Sequence, residues 1–204
     1  ALSVLSTQPL DEMEGWVREY FSLLPNRELD KSIYPSDVYE RAKTFRVVTI
    51  EPVKDIREMN ISFSLTDLRK DYKSKPGRML GYILGNEGKG SLLSYFKDKG
   101  WATSLSAAAR SETDSYGNAT VMIGLTPEGL ENYRGIIKGV LMYISLMQKE
   151  GYKTGSYDEM KTMAELEEIY SNKGEGASRA VGYSNETLFY PLEDAGRVSY
   201  IYAD

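Results

Sequence analysis

An apolar run stops at Leu125 and a helix begins at Thr126, so the chain must turn there from strand to helix within one residue. Gly117 to Leu125 reads as a strand. Thr126 is a good N-cap, Pro127 suits the first helical position, where a missing N–H costs nothing, and Glu128 complements the positive end of the helix dipole. Leu130, Tyr133, Ile137, Val140, Ile144 and Met147 then form a core-facing stripe, and Gly151 closes the helix. A second strand, Ala102 to Ala109, precedes this unit and is joined to it by a turn rich in Ser, Glu, Thr and Asp.

Upstream, Asn60 to Leu65 alternates strictly, with Ile61, Phe63 and Leu65 on one face and serines on the other, which is a half-buried strand. Arg46 to Ile50 is short and β-branched and reads as another. Lys75-Pro76-Gly77 opens a helix through about Gly85, and a shorter one runs from Ser91 to Lys99. The pattern Ser156-x-x-Glu159 reads as a capping box opening a helix that continues to about Asn172. Lys173 to Ala177 is a Gly-rich connection, and the tail from Arg179 is open between helical and irregular readings. Strands first and long helices after them give an α+β fold with a mixed or antiparallel sheet packed with helices.

The first residues stand apart. A short apolar run, Leu2 to Leu5, reads as a strand. Leu10, Met13, Val17, Tyr20, Phe21 and Leu24 recur at helical spacing until Pro25-Asn26. A polar stretch from Arg27 to about Ala42 looks like a linker. That strand and helix cannot bury their own apolar face and must dock on something, which would lie upstream of Ala1.

The chain has no Cys and no His among 204 residues. This excludes disulfides, thiolate and imidazole chemistry, and the usual zinc ligands. A net charge of −5 argues against a nucleic-acid-binding face. No apolar run approaches the roughly 20 residues of a membrane span. The 16 tyrosines against 5 phenylalanines leave two readings open, tyrosine replacing phenylalanine at half-buried positions or an aromatic peptide-binding surface.

Two features could carry chemistry. Gly85-Asn86-Glu87-Gly88-Lys89-Gly90-Ser91 resembles a phosphate cradle but fails the Walker pattern, because Lys89 is followed by Gly90 and the segment follows a helix. A tight interhelical turn is the alternative. Acidic clusters occur at Asp11, Glu12 and Glu14, at Glu165, Glu167 and Glu168, and at Glu193 and Asp194. Glu165 and Glu168 would share a helix face, as paired acids of a hydrolase or as a solvated surface.

Several ordered runs point further: Lys54 to Arg57, Asp67-Leu68, Tyr72 to Gly77, Leu80-Gly81, Gly85 to Ser94 and Lys99 to Trp101, then Leu125 to Leu130 and Tyr190 to Glu193. Together they resemble the insulysin/pitrilysin (insulinase) family of zinc metallopeptidases, at the second domain of the N-terminal half. The resemblance implies an α+β domain of the insulinase and mitochondrial-processing-peptidase type, truncated at both ends. Residues 1–29 would be the closing strand and helix of the preceding catalytic domain, 30–42 a linker, and 43–204 a non-catalytic second domain lacking its last helix and strand. Such proteins enclose a chamber, and their zinc sits in the first domain on an inverted His-x-x-Glu-His motif. That motif cannot be present in a chain without His.

By the same resemblance, this portion forms chamber wall and is itself inactive, while the parent binds zinc and cleaves peptides. An exosite that anchors substrate by strand addition would fall on Tyr82, Gly85, Glu87, Leu105, Ala107 and Ala109. Gly85, Glu87 and Leu105 agree with the insulysin pattern, whereas Tyr82 stands for a His, Ala107 for a Gly and Ala109 for a Gln. Partners implied are peptide substrates and the remaining domains of the parent, with a homo-oligomer allowed and no nucleic acid or membrane. A catalytically inactive homologue acting as scaffold is the alternative, and the compartment is open between bacterial periplasm and cytoplasm.

Overall fold

The computed structural model describes residues 1–30, 32–34, 46–151, 154–172 and 174–203. It divides into two compact units, Ile33–Met160 and a second built from Ala1–Ser32 with Lys161–Asp204.

The larger unit is organised by a three-stranded antiparallel sheet in the order β1-β3-β2, with β1 Glu58–Leu65, β2 Ala102–Ser111 and β3 Gly117–Leu125. Ile61, Val121 and Ala107 form one cross-strand row on the core face, and Met59, Ile123 and Leu105 form the next. The opposite face carries Ser62, Thr120 and Ala108 in register. The strict alternation of β1 is therefore half-burial, as the sequence pattern implies. β2 departs from alternation. A bulge between Ala102 and Ser104 inserts Thr103, so Ala102 and Leu105 both face the core across a three-residue interval.

Helices cover the core face. These are α2 (Pro76–Leu84), α3 (Leu92–Asp98), the single-turn α4 (Pro127–Glu131) and α5 (Tyr133–Glu150); α1 (Leu10–Phe21) belongs to the other unit. Phe96, Leu93, Ile123, Ile136, Val121 and Val140 are wholly buried between helices and sheet. Each contributes roughly 1.5–3 kcal/mol by leaving water. Local chemistry sets the helix starts: Ser91 Oγ accepts the Ser94 N–H at 3.1 Å, and Thr126 Oγ1 accepts that of Gly129 at 2.9 Å.

The helix expected from Thr126 to Gly151 is interrupted. Asn132 donates both its backbone N–H and its side-chain amide to the Glu128 carbonyl, ending α4 before α5 begins. Val140, Ile144 and Met147 still face the core, as the spacing implies. Ile136 rather than Ile137 is buried, and Leu130 is half exposed. Arg46 to Ile50 and Leu2 to Leu5, expected as strands, have no regular structure, and Val48 and Ile50 are exposed. β-branched composition alone cannot hold a strand, and no ladder partner lies beside either run among the described residues. Most of the linker expected over 30–42 lies outside the described residues.

α6 (Thr154–Tyr170) starts in the sheet-containing unit. It begins two residues before Ser156, so Ser156 and Glu159 are helix-interior residues and not a capping box. In the smaller unit, α7 (Gly176–Glu186) resolves the open reading of the tail as a helix followed by turns to Tyr200. There Arg197 donates to both Glu168 oxygens, and Ser184 donates to the Ala1 carbonyl at 3.1 Å.

The closest helix–sheet approach is glycine against backbone. A Cβ at Gly77 would lie 2.8 Å from the Ala109 carbonyl oxygen, at Gly81 2.9 Å from that of Ala107, and at Gly85 3.5 Å from the Ala107 amide nitrogen. Gly81→Ala should therefore cost about 1–3 kcal/mol in urea unfolding. Gly15→Ala, in α1 with nothing within 4 Å, should be neutral or stabilising by up to about 1 kcal/mol. Equal effects would show that the close approach is absent.

Candidate functional site

Five of the six positions singled out from sequence gather along one contact. Tyr82 lies in α2, Gly85 ends that helix, and Leu105, Ala107 and Ala109 lie on β2. The glycine contacts bring the Gly81–Gly85 turn onto Ala107. Glu87 is in the loop that follows, exposed to solvent. That loop is braced by its own backbone: Asn86 Oδ1 accepts the Gly88 N–H at 2.8 Å, and the Ser91 N–H donates to the Gly88 carbonyl at 3.0 Å. Gly90 adopts φ +82, which a side chain would strain, so the segment is the tight interhelical turn.

β2 ends the sheet, and its outer edge has no strand partner among the described residues. Leu105 is 4% exposed and packs into the core. It can offer a ligand its backbone, not its side chain. Ala107 and Ala109 are half-buried, and their small side chains let α2 come close. Such an edge presents alternate N–H and C=O groups to an extended peptide.

One participant was not legible as such in the sequence. The Tyr82 hydroxyl donates to Glu159 Oε2 at 2.7 Å across 77 residues of chain. That hydrogen bond, then burial, then the carboxylate's charge push the phenol above its ordinary value. Nothing local signals this pairing; the i, i+4, i+8 spacing of Gly77, Gly81 and Gly85 was the available sign that α2 meets a backbone. Tyr157, two residues before Glu159, donates to the Lys73 carbonyl at 3.2 Å, so two phenol bonds tie the start of α6 to the 73–82 segment.

The acidic pair considered on α6 does not form. Glu168 is held by Arg197, whose hydrogen bonds keep its carboxyl below the ordinary range against the opposing effect of burial. A zinc site does not fit either. The chain has no His or Cys, and no group of three or more His, Cys, Asp or Glu among the described residues could hold a metal. No step of chemistry is routed through a metal in these residues. No described helix is long and apolar enough to cross a membrane.

The family model of the Peptidase M16 inactive domain matches residues 1–164. The chain belongs to the M16 peptidase family. The insulin-degrading enzyme of Drosophila melanogaster is 34% identical over 193 residues, covering 95% of this chain and 20% of that protein. The A-factor-processing enzyme of Saccharomyces cerevisiae is 30% identical over 179 residues, covering 87% and 17%. The chain thus spans about a fifth of the length of the curated relatives it matches. The crystal structure of pitrilysin superposes with a TM-score of 0.80 at 18% identity, over 98% of this chain and 22% of that one. The α+β architecture is therefore that of an insulinase-type M16 domain.

The M16 domain's Tyr82 phenol should ionise above the range of free tyrosine in an NMR or ultraviolet titration, and Glu159→Ala should bring it back. With the folded value raised, this bond's contribution to stability is complete below the ordinary phenol range. It is lost as pH rises through the folded value. A titration unchanged by Glu159→Ala would rule the pairing out.

Proposed function

We propose that residues 1–204 are a non-catalytic portion of an insulinase-type zinc metalloendopeptidase, forming chamber wall and anchoring peptides along β2. The observation that carries this reading is the open edge of β2, met on its core side by the Gly81–Gly85 turn. A peptide laid on that edge is held by main-chain hydrogen bonds, with little demand on its sequence. Leu105, Ala107 and Ala109 would supply backbone, while Gly85, Tyr82 and Glu87 would border one end. Membership of the M16 family supports peptides as the ligand class, and two relatives carry names for degrading insulin and processing A-factor.

Zinc and the general base would belong to sequence outside these residues, since the donors here do not suit it. The intact protein should then cleave flexible peptides until a chelator removes its metal, and residues 1–204 alone should not. Chelator-insensitive cleavage by 1–204 would overturn the division of labour. An intact protein that binds zinc-free and never cleaves would instead be a scaffold.

Ala107→Pro removes a backbone donor from β2. It should weaken peptide binding about tenfold, the worth of one well-formed hydrogen bond, with Ala107→Gly as a control that keeps the donor. Unchanged affinity in a folded Ala107→Pro protein would refute strand addition at this edge.

A further inference from the structure

We propose that a groove lined by α7, the end of α6 and the tail turn binds a short free peptide, about three residues long, by its two charged ends. The groove belongs to the smaller unit. It does not depend on the β2 edge, so either reading can fail without the other.

The groove encloses about 460 Å³, the size of a small-ligand site. One stripe of α7 lines it, since Arg179, Gly182, Tyr183 and Glu186 are spaced i, i+3, i+4 and i+7. The tail lines it as well. Gly196, at φ +81, lies so close to Tyr183 that a Cβ there would overlap the ring, and its N–H donates to Glu186 Oε2. Gly182 is the telling residue. Glycine inside a helix weakens it relative to alanine, yet a Cβ at Gly182 would have nothing within 4 Å. No neighbour demands this glycine, and the space that a larger residue would take is the groove itself.

Charge selects the ligand. Glu168 lines the groove but is held by Arg197, which donates to both its oxygens. The other charged residues lining it are Arg179 and Glu186, opposite in sign and on one helix face. The helix rises about 10.5 Å between them, the length of about three extended residues. The Tyr183 hydroxyl accepts one Arg179 N–H at 3.3 Å and orients the guanidinium without neutralising it. Glu186 gives Oε2 to Gly196 and keeps Oε1 for a donor. A carboxylate suits Arg179 and an ammonium suits Glu186, so the fitting ligand is a peptide with both ends ionised. A plain anion or cation would meet one attractive and one repulsive wall. Ser171 and Asn172, also on the lining, offer a hydroxyl and an amide to the peptide groups between the ends.

The test is an NMR titration of the intact protein with triglycine in free, N-acetylated, C-amidated and doubly blocked forms. Blocking either end should weaken binding about fivefold, the upper range for an exposed ion pair. Glu186→Gln, which keeps an acceptor for Gly196, should weaken the free peptide about fivefold and leave the acetylated one unchanged. Arg179→Gln should likewise weaken the free peptide and leave the amidated one unchanged. Gly182→Leu fills the groove and should abolish binding in a protein that still melts as the unsubstituted one does. Binding that survives Gly182→Leu in folded protein lies elsewhere, β2 included, and overturns the groove. Loss with Gly182→Leu but indifference to both blocked ends overturns the charge reading. No binding of triglycine overturns the proposal and leaves strand addition at β2 standing.

Discussion

A helix face without side chains sets how near α2 can come to β2, and the site is built around that approach. With Gly77, Gly81 and Gly85 in line, the helix settles against the carbonyls of Ala107 and Ala109. A side chain at Gly77 or Gly81 would push it off the sheet, whereas one at Gly85 would meet Ala107 at ordinary contact distance. The small side chains on the strand complete the fit, since Ala107 and Ala109 leave the backbone within reach. Behind the contact, Leu84, Leu92, Leu93 and Phe96 carry the chain from α2 through the braced loop into a buried core shared with Val121 and Ile123. The positions that border the open edge of β2 are thus fixed by the same packing that stabilises the unit.

Beside the glycine line, one side-chain hydrogen bond joins α2 to α6. Tyr82, next to Gly81, donates its hydroxyl hydrogen to Glu159. The rest of the edge offers backbone and alanine. An open edge of this kind suits an extended chain held by its peptide groups. It does not suit metal chemistry: the chain has no His or Cys, no group of three or more acids among the described residues could hold a metal, and Glu168 is committed to Arg197.

Local signals in the sequence translated well where one residue's chemistry decides the outcome. The alternation of Ile61, Phe63 and Leu65, the N-cap Thr126, and the glycines of the 85–90 turn each act within a few residues. Signals that depend on a partner did not. Arg46 to Ile50 has strand composition but no ladder to join. The bulge at Thr103 lets Ala102 and Leu105 both face the core, and the break at Asn132 divides a helix read as continuous; neither is marked by Gly or Pro. Glu159 was read as the end of a capping box because its partner lies 77 residues away. The family resemblance named the candidate positions, and the structure added the partner that Tyr82 reaches.

The most direct measurement is amide hydrogen exchange along β2, by NMR, with and without a bound peptide. Strand addition engages every second N–H of an edge strand. Peptide should therefore slow exchange at alternate residues between Leu105 and Ala109, and leave the amides facing β3 unchanged. Peptide bound at saturation with no change anywhere from Ala102 to Ser111 would contradict the account.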